Sequence, residues 1–208
     1  REITSELAQV LQQLTVPVLM LGQHLQGVHS IVHDDYRAGE KLAEYAIELG
    51  HRSFLFIGVT EKDEAVGILR KKGFTDVVAQ MEGTKLSFIE TSFSRSETYQ
   101  KARLFLKENQ ATYLACATDN IAVAVLKAAH ELGLRVPEDF SLSGFGGYDS
   151  TDYVFPTITT THYPYHQLGV DAVETIQKLI QKVQVPELIK LLNQLVIKQS
   201  TIPIEQIP

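Results

Sequence analysis

Short apolar runs alternate with amphipathic stretches along almost the whole chain. This alternation constrains the fold more than any other feature, because it is the pattern of βαβ units feeding a parallel sheet. The apolar runs at 16–22, 28–32, 53–58, 86–90, 112–117 and 140–145 read as strands. The run at 53–58 is almost continuously apolar, as a strand covered on both faces requires. Helical spacing predicts helices at 3–14, 34–49, 64–81, 95–108, 120–132 and 165–183, with Thr4 and Ser5 as candidate caps of the first. Gly50 and Gly133 stand where helices end. Pro137 and Pro156 mark corners between units. The tail from Pro186 is ambiguous: Leu188, Ile189, Leu191, Leu192 and Leu195 fit a helix, whereas 195–198 fits a strand. No short-period repeat or low-complexity linker divides the chain, so any lobes arise from topology.

A hydrophobic share of 44% with 21% charged residues is the mix of a globular protein able to bury a core. The net charge of -6 argues against a chain that grips nucleic acid by itself. Cys116 is the single cysteine, which excludes an internal disulfide, and no Cys/His cluster has zinc-ligand spacing. No apolar run reaches the roughly eighteen residues of a membrane span. Arg1 opens directly into a helical pattern with neither Met nor a signal peptide, so the expectation is a cytoplasmic protein whose chain starts here in mid-sequence.

Several segments, in order, carry a family resemblance. They are Asp34-Asp-Tyr-Arg-Ala-Gly39, Leu49-Gly-His-Arg-Ser-Phe-Leu-Phe-Ile-Gly58, Leu69-Arg-Lys-Lys-Gly-Phe74 and Ala117-Thr-Asp-Asn-Ile-Ala122. The series continues with Leu132-Gly-Leu-Arg-Val-Pro-Glu-Asp-Phe-Ser-Leu-Ser-Gly-Phe145 and Pro156-Thr-Ile-Thr-Thr-Thr161. Together they resemble the lactose-repressor/galactose-repressor family of transcription regulators. The resemblance implies an α/β, periplasmic-binding-protein-like fold of two flavodoxin-like lobes with parallel sheets, the N-lobe incomplete. It implies an N-lobe of 1–50 with 163–192 and a C-lobe of 51–162 with 193–208, the first crossing at Gly50-His51 and the tail mostly strand. It also implies a sugar effector between the lobes, no cofactor, a homodimer, and operator contact through an N-terminal helix-turn-helix that this chain lacks.

In open α/β sheets ligands gather beyond the carboxyl ends of the strands, which directs attention to the residues just after them. A polyol needs bidentate polar partners and a flat aromatic surface. Arg70 matches the family's ligand-binding arginine, and its fork of donors suits paired hydroxyls better than Lys71 or Lys72 would. Phe93, after the strand at 86–90, matches an aromatic that stacks on the effector. Asp34 is the acceptor expected after the strand at 28–32, with Asp35 as an equally good helix cap. Thr118 stands where the family usually has asparagine, and Asp119 is expected to cap the following helix. Phe145 ends the strand at 140–145 and Gly146 follows it, which places both among the expected ligand-binding residues. Gly146 replaces the family's effector-binding aspartate, and the exchange is expected to remove an acceptor and open volume. The Gly-Phe-Gly-Gly-Tyr variant at 144–148 is similar to the sucrose-responsive branch, which implies a disaccharide such as sucrose or its phosphate. Tyr163, with Tyr148 the weaker candidate, falls where the chain crosses again, as cleft lining or as hinge packing.

The glycines at 144, 146 and 147 lack the full spacing of a dinucleotide loop, and no nucleophile elbow, zinc helix or phosphate-binding lysine motif is present. The chain therefore reads as non-enzymatic. A sugar-binding protein of a transport system shares the fold and stays open, as does, less favoured, a flavodoxin-like sugar-modifying enzyme.

Overall fold

The structure is a computed structural model that describes residues 3–207. Arg1, from which the sequence opens into its first helical pattern, lies outside those residues. In chain order the elements are α1 (Ser5–Gln13), β1 (Leu19–Leu21), β2 (His29–His33), α2 (Asp35–Glu48), β3 (Ser53–Gly58), α3 (Arg70–Ala79), β4 (Lys85–Glu90), α4 (Arg95–Phe105) and β5 (Tyr113–Cys116). They continue with α5 (Asp119–Glu131), β6 (Ser141–Gly146), β7 (Thr159–His162), α6 (Tyr165–Ile180), β8 (Leu188–Leu191) and β9 (Gln194–Val196).

Two compact units share this chain. The first comprises residues up to Asp34 together with Tyr163–Asn193, and the second comprises Asp35–His162 with the residues from Gln194 on. The chain thus passes between them after Asp34, His162 and Asn193. The first passage falls ahead of α2, not at Gly50-His51, because α2 packs on α3. There Gly39 lies against the Arg70 carbonyl and Gly73 against the Tyr36 carbonyl, so the two backbones approach where no side chain intervenes.

The first unit holds a parallel sheet in the order β1-β2-β8. Thr4 caps α1, its hydroxyl accepting from the Leu7 amide at 3.2 Å. Neither helix of this unit is deeply packed: α1 buries no residue and α6 only Thr175. A cavity of about 500 Å³ lies among Leu11, Leu14, Val16, Val18, Leu179 and Ile180.

The second unit is a six-stranded sheet in the order β4-β3-β5-β6-β7-β9, parallel except for β9, which runs against β7. β3, β5 and β6 are central: β3 and β5 are nearly continuous apolar runs, β6 alternates small residues with Leu142 and Phe145, and Phe54, Phe56, Ile57, Leu114, Ala115 and Leu142 are all buried. β4 is the edge strand, and its residues are mostly exposed. Phe74 projects from α3 onto Phe54 and Phe56, with ring centroids 5.8 and 5.6 Å away.

Three expectations change. The helix expected at 64–81 begins as a wide π turn over Glu64–Leu69, capped by Asp63 through the Val66 amide at 2.9 Å, and becomes α-helical only at Arg70. The tail forms strands, as the family resemblance implied and against its helical spacing, because β8 pairs with β2 and β9 with β7. The segment Thr159–His162 is a strand that its polar residues concealed. Its threonines are fully buried; Thr159 Oγ1 meets Thr201 Oγ1 at 2.8 Å and Thr160 Oγ1 donates to Asp119 Oδ1 at 2.6 Å.

The last residues are stitched into this sheet. Ser200 donates its hydroxyl to the Leu142 carbonyl at 2.5 Å and accepts from the Thr159 amide at 2.9 Å, while the Ile204 amide reaches the Leu49 carbonyl at 2.8 Å. His51 fastens the same segment from within. Its Nε2 donates to the Ile202 carbonyl at 3.0 Å, which leaves Nδ1, 2.9 Å from Thr112 Oγ1, as an acceptor and fixes the neutral tautomer. The ring is fully buried, and desolvation holds its pKa below the ordinary 6.5. With the native value depressed, the unfolded chain binds the proton first. This contribution to stability is therefore complete above pH 6.5 and is lost as pH falls from there through the native value. Urea unfolding between pH 7.5 and 5 is expected to show that decline, roughly halved or more in His51→Gln; an identical slope in the variant would assign it to other groups.

Candidate functional site

The carboxyl ends of β4, β3, β5 and β6 lie side by side in the second unit, and the segments leaving them carry most of the anticipated residues. Arg70 is the centre of the group. It sits where the π turn gives way to α3 and is 8% exposed. Its Nε donates to Asp35 Oδ1 at 2.7 Å, and Nη1 donates to the Ala117 carbonyl at the tip of β5, also at 2.7 Å. The guanidinium carbon stands 5.4 Å over the ring of Phe145, which is fully buried in β6. That cation–π contact gives the planar cation a floor. The fork of donors is thus already engaged on two of its nitrogens by the protein itself, and Asp35, expected only as an alternative cap, is its buried counter-ion at 4% exposure.

Thr118 and Asp119 exchange their expected roles. Thr118 is the cap of α5, its hydroxyl accepting from the Ile121 amide at 3.2 Å, because its extended backbone places Oγ1 over the first turn. Asp119 is the first helical residue and turns inward, fully buried. It accepts from Thr160 Oγ1 at 2.6 Å and from the Tyr148 amide at 2.8 Å. Burial pushes its pKa up, opposed by those donors, by the Gly147 amide and by the charge of Arg70.

Gly146 does not open volume. A methyl built there lies 3.0 Å from Asp119 Oδ2 and 3.1 Å from the Tyr148 ring, so the carboxylate and the aromatic fill the space that a side chain would use. Phe93 follows β4 and is 52% exposed just before the α4 cap Ser94, a solvent-facing aromatic at a strand tip.

Asp34 and Tyr163 belong to the first unit. Asp34 follows β2 and is tied down by its backbone, its amide donating to the Leu191 carbonyl at 3.0 Å and its carbonyl accepting from Asn193 Nδ2 at 2.8 Å. Lys190 Nζ lies 3.9 Å from its carboxylate. Tyr163 is fully buried, its ring against His33 with centroids 4.6 Å apart. His33 adjoins Asp34, so these two anticipated residues meet at one end of β2. Sequence reasoning missed Asp35 as an ion-pair partner and His33 as a ring contact. The Asp34-Asp35 doublet was the available signal, since only one of the two can cap α2 while the other turns elsewhere. Among the described residues, no group of three or more His, Cys, Asp and Glu side chains could hold a metal ion, and no helix is long and apolar enough to cross a membrane.

Two α/β units visited alternately by one chain, with polar side chains collected at strand tips, define the periplasmic-binding-protein-like fold. The chain belongs to the family of periplasmic binding protein-like domains, whose family model matches residues 43–201. It is 34% identical over 187 residues to a sucrose operon repressor of Staphylococcus xylosus, an alignment covering 86% of this chain and 56% of that protein. An arabinose metabolism transcriptional repressor of Geobacillus stearothermophilus is 28% identical over 202 residues, covering 92% of this chain and 55% of the relative. A crystal structure of a LacI-family transcriptional regulator from Enterococcus faecalis V583, with bound ribose, superposes with a TM-score of 0.87 at 27% identity, covering 97% of this chain and 75% of that one. The resemblance to the lactose-repressor/galactose-repressor family is borne out, and these relatives are regulators rather than enzymes. The chain spans about half the length of the curated relatives it matches.

Proposed function

We propose that this chain is the effector-sensing part of a cytoplasmic, sugar-responsive transcriptional repressor. The observation that carries the reading is the Arg70 guanidinium, held by Asp35 and Ala117 over the Phe145 ring at the strand tips of a chain 34% identical to a sucrose operon repressor. A pre-oriented planar cation with an exposed aromatic, Phe93, on the same sheet edge is the combination that polyol hydroxyls and a C–H face require. Within the second unit Thr118, Asp119 and Gly146 shape the surroundings of Arg70, and Asp34 and Tyr163, at the end of β2 in the first unit, are that unit's own candidates for polar and aromatic ligand contacts. A disaccharide, sucrose or its phosphate, is the effector we favour.

Ligand binding selects one conformer of the sensing part, and the intact protein converts that selection into a change in operator affinity through a DNA-binding headpiece. A homodimer accords with an exposed apolar patch on the second unit. Phe155, 87% exposed, lines a shallow depression with Val123, Leu126 and Val154 beside Lys127, His130 and Glu131, and Tyr153 two residues before it is 86% exposed.

A thermal-shift screen tests the sensor. Sucrose, sucrose phosphate, trehalose, maltose and ribose are compared at millimolar concentration. At a hundredfold excess over its Kd the correct sugar stabilises by about 2.7 kcal/mol, read as a rise in Tm. A panel in which no sugar moves the transition overturns the sugar-sensing reading.

A further inference from the structure

Asp119 lies against two glycines. A methyl at Gly144 would run into its Oδ1, and one at Gly146 would stand 3.0 Å from its Oδ2. The same carboxylate draws in the turn beyond β6, accepting from the Tyr148 amide at 2.8 Å, and crosses to β7 through the Thr160 hydroxyl at 2.6 Å. Gly147 in turn donates to Thr160 Oγ1 at 3.2 Å. Gly146 and Gly147 have φ of +139° and +69°, backbone that side-chain-bearing residues rarely adopt, so the turn depends on partners to hold it. The outcome is a Tyr148 ring lying on the bare backbone of Gly146, 40% exposed, at the carboxyl end of a central strand.

We propose that Asp119 is a positioning residue of the effector site: its buried carboxylate clamps the turn 146–148 and lays the Tyr148 ring over Gly146 as an apolar platform for the C–H face of a pyranose. The platform rests on the sugar-sensing reading above, whereas the clamp does not. A ring fixed before the ligand arrives loses little freedom on binding, which is the advantage of holding it through the backbone rather than through its own side chain. A deeply buried carboxylate is costly unless it is hydrogen-bonded, and the donors gathered around Asp119 meet that need. The site is then specific through what position 146 excludes. No polar side chain fits there, and the surface offered to a ligand is aromatic.

The test has two stages on the same chain. Amide hydrogen exchange measured by NMR comes first. Protection at Gly147 and Tyr148 is expected to fall at least about tenfold in Asp119→Ala, as expected for a lost local hydrogen bond, and to be regained in Asp119→Asn, which keeps an acceptor for Tyr148 and a group for Thr160. Protection that survives Asp119→Ala overturns the clamp. Calorimetric titration with sucrose, and then with the other sugars of the panel, follows. Tyr148→Ala is expected to weaken binding by about tenfold, Tyr148→Phe by less than about twofold, and Asp119→Ala to have no further effect once Tyr148 is alanine. Unchanged affinity in Tyr148→Ala, or equal losses from Asp119→Ala in both backgrounds, overturns the platform. If the unsubstituted chain binds none of the sugars, the sensor reading and the platform fall together, and the exchange data alone decide the clamp.

Discussion

Arg70→Ala is expected to lower the unfolding free energy of the second unit by about 3–5 kcal/mol, the cost of breaking a buried ion pair from one side. Asp35 is 4% exposed and its Oδ1 receives the arginine Nε at 2.7 Å, so the substitution leaves a carboxylate with neither counter-ion nor water. The Ala117 carbonyl loses its charged donor and the Phe145 ring loses the cation above it. Urea unfolding followed by far-UV circular dichroism measures the loss. The double variant with Asp35→Asn should recover part of it, because the isolated charge is then gone. A loss below about 1 kcal/mol would mean that Asp35 is held by other partners and that the arginine is not its essential counter-ion. The consequence for binding studies is direct: weaker sugar affinity in Arg70→Ala combines lost ligand contacts with a disturbed site. Affinities must therefore be compared at equal folded fraction.

A loss of similar size, about 3–5 kcal/mol, is expected for Phe74→Ala, the range for emptying a large buried aromatic site. Phe74 is fully buried and joins α3 to β3 through Phe54 and Phe56. Its neighbour Gly73 sits against the Tyr36 carbonyl, so α3 is held at backbone contact with α2 and has little freedom to move inward over the vacancy. Equilibrium urea titration gives the value. A loss under about 1.5 kcal/mol would show that the helix does collapse onto the sheet after all.

Much of this architecture is legible in the residues alone. The central strands β3 and β5 announced themselves because a strand buried on both faces can carry little but apolar side chains. β7 did not, because it is a run of threonines, of which Thr159 and Thr160 reach the same burial by hydrogen-bonding partners that only the fold supplies. The tail was ambiguous in its spacing, and the strands that the family resemblance implied are the ones present. Leu188 to Leu195 has helical spacing, but two short strands serving two different sheets happen to place leucines at those intervals. At the strand tips, Arg70 was conspicuous through its motif, yet its partner Asp35 was not. Which member of an Asp-Asp pair faces a cation depends on how α3 crosses α2. Thr118 and Asp119 changed places because capping is decided by backbone dihedrals, to which both residue types are equally suited. The glycine at 146 could be seen, but not what occupies the space beside it.

The stitching of Ser200, Ile202 and Ile204 onto β6, β7 and the end of α2 bears on how this protein is made. Synthesis delivers five of the six strands of the larger sheet first, then a long excursion through α6 and β8, and only afterwards the segment that closes it. A ribosome that has just finished β7 therefore carries a sheet whose final border, and the lining of His51, have yet to emerge. For this unit, the order of translation and the order of completion diverge, and the growing chain must stay soluble across that interval with a threonine-rich strand as its temporary rim.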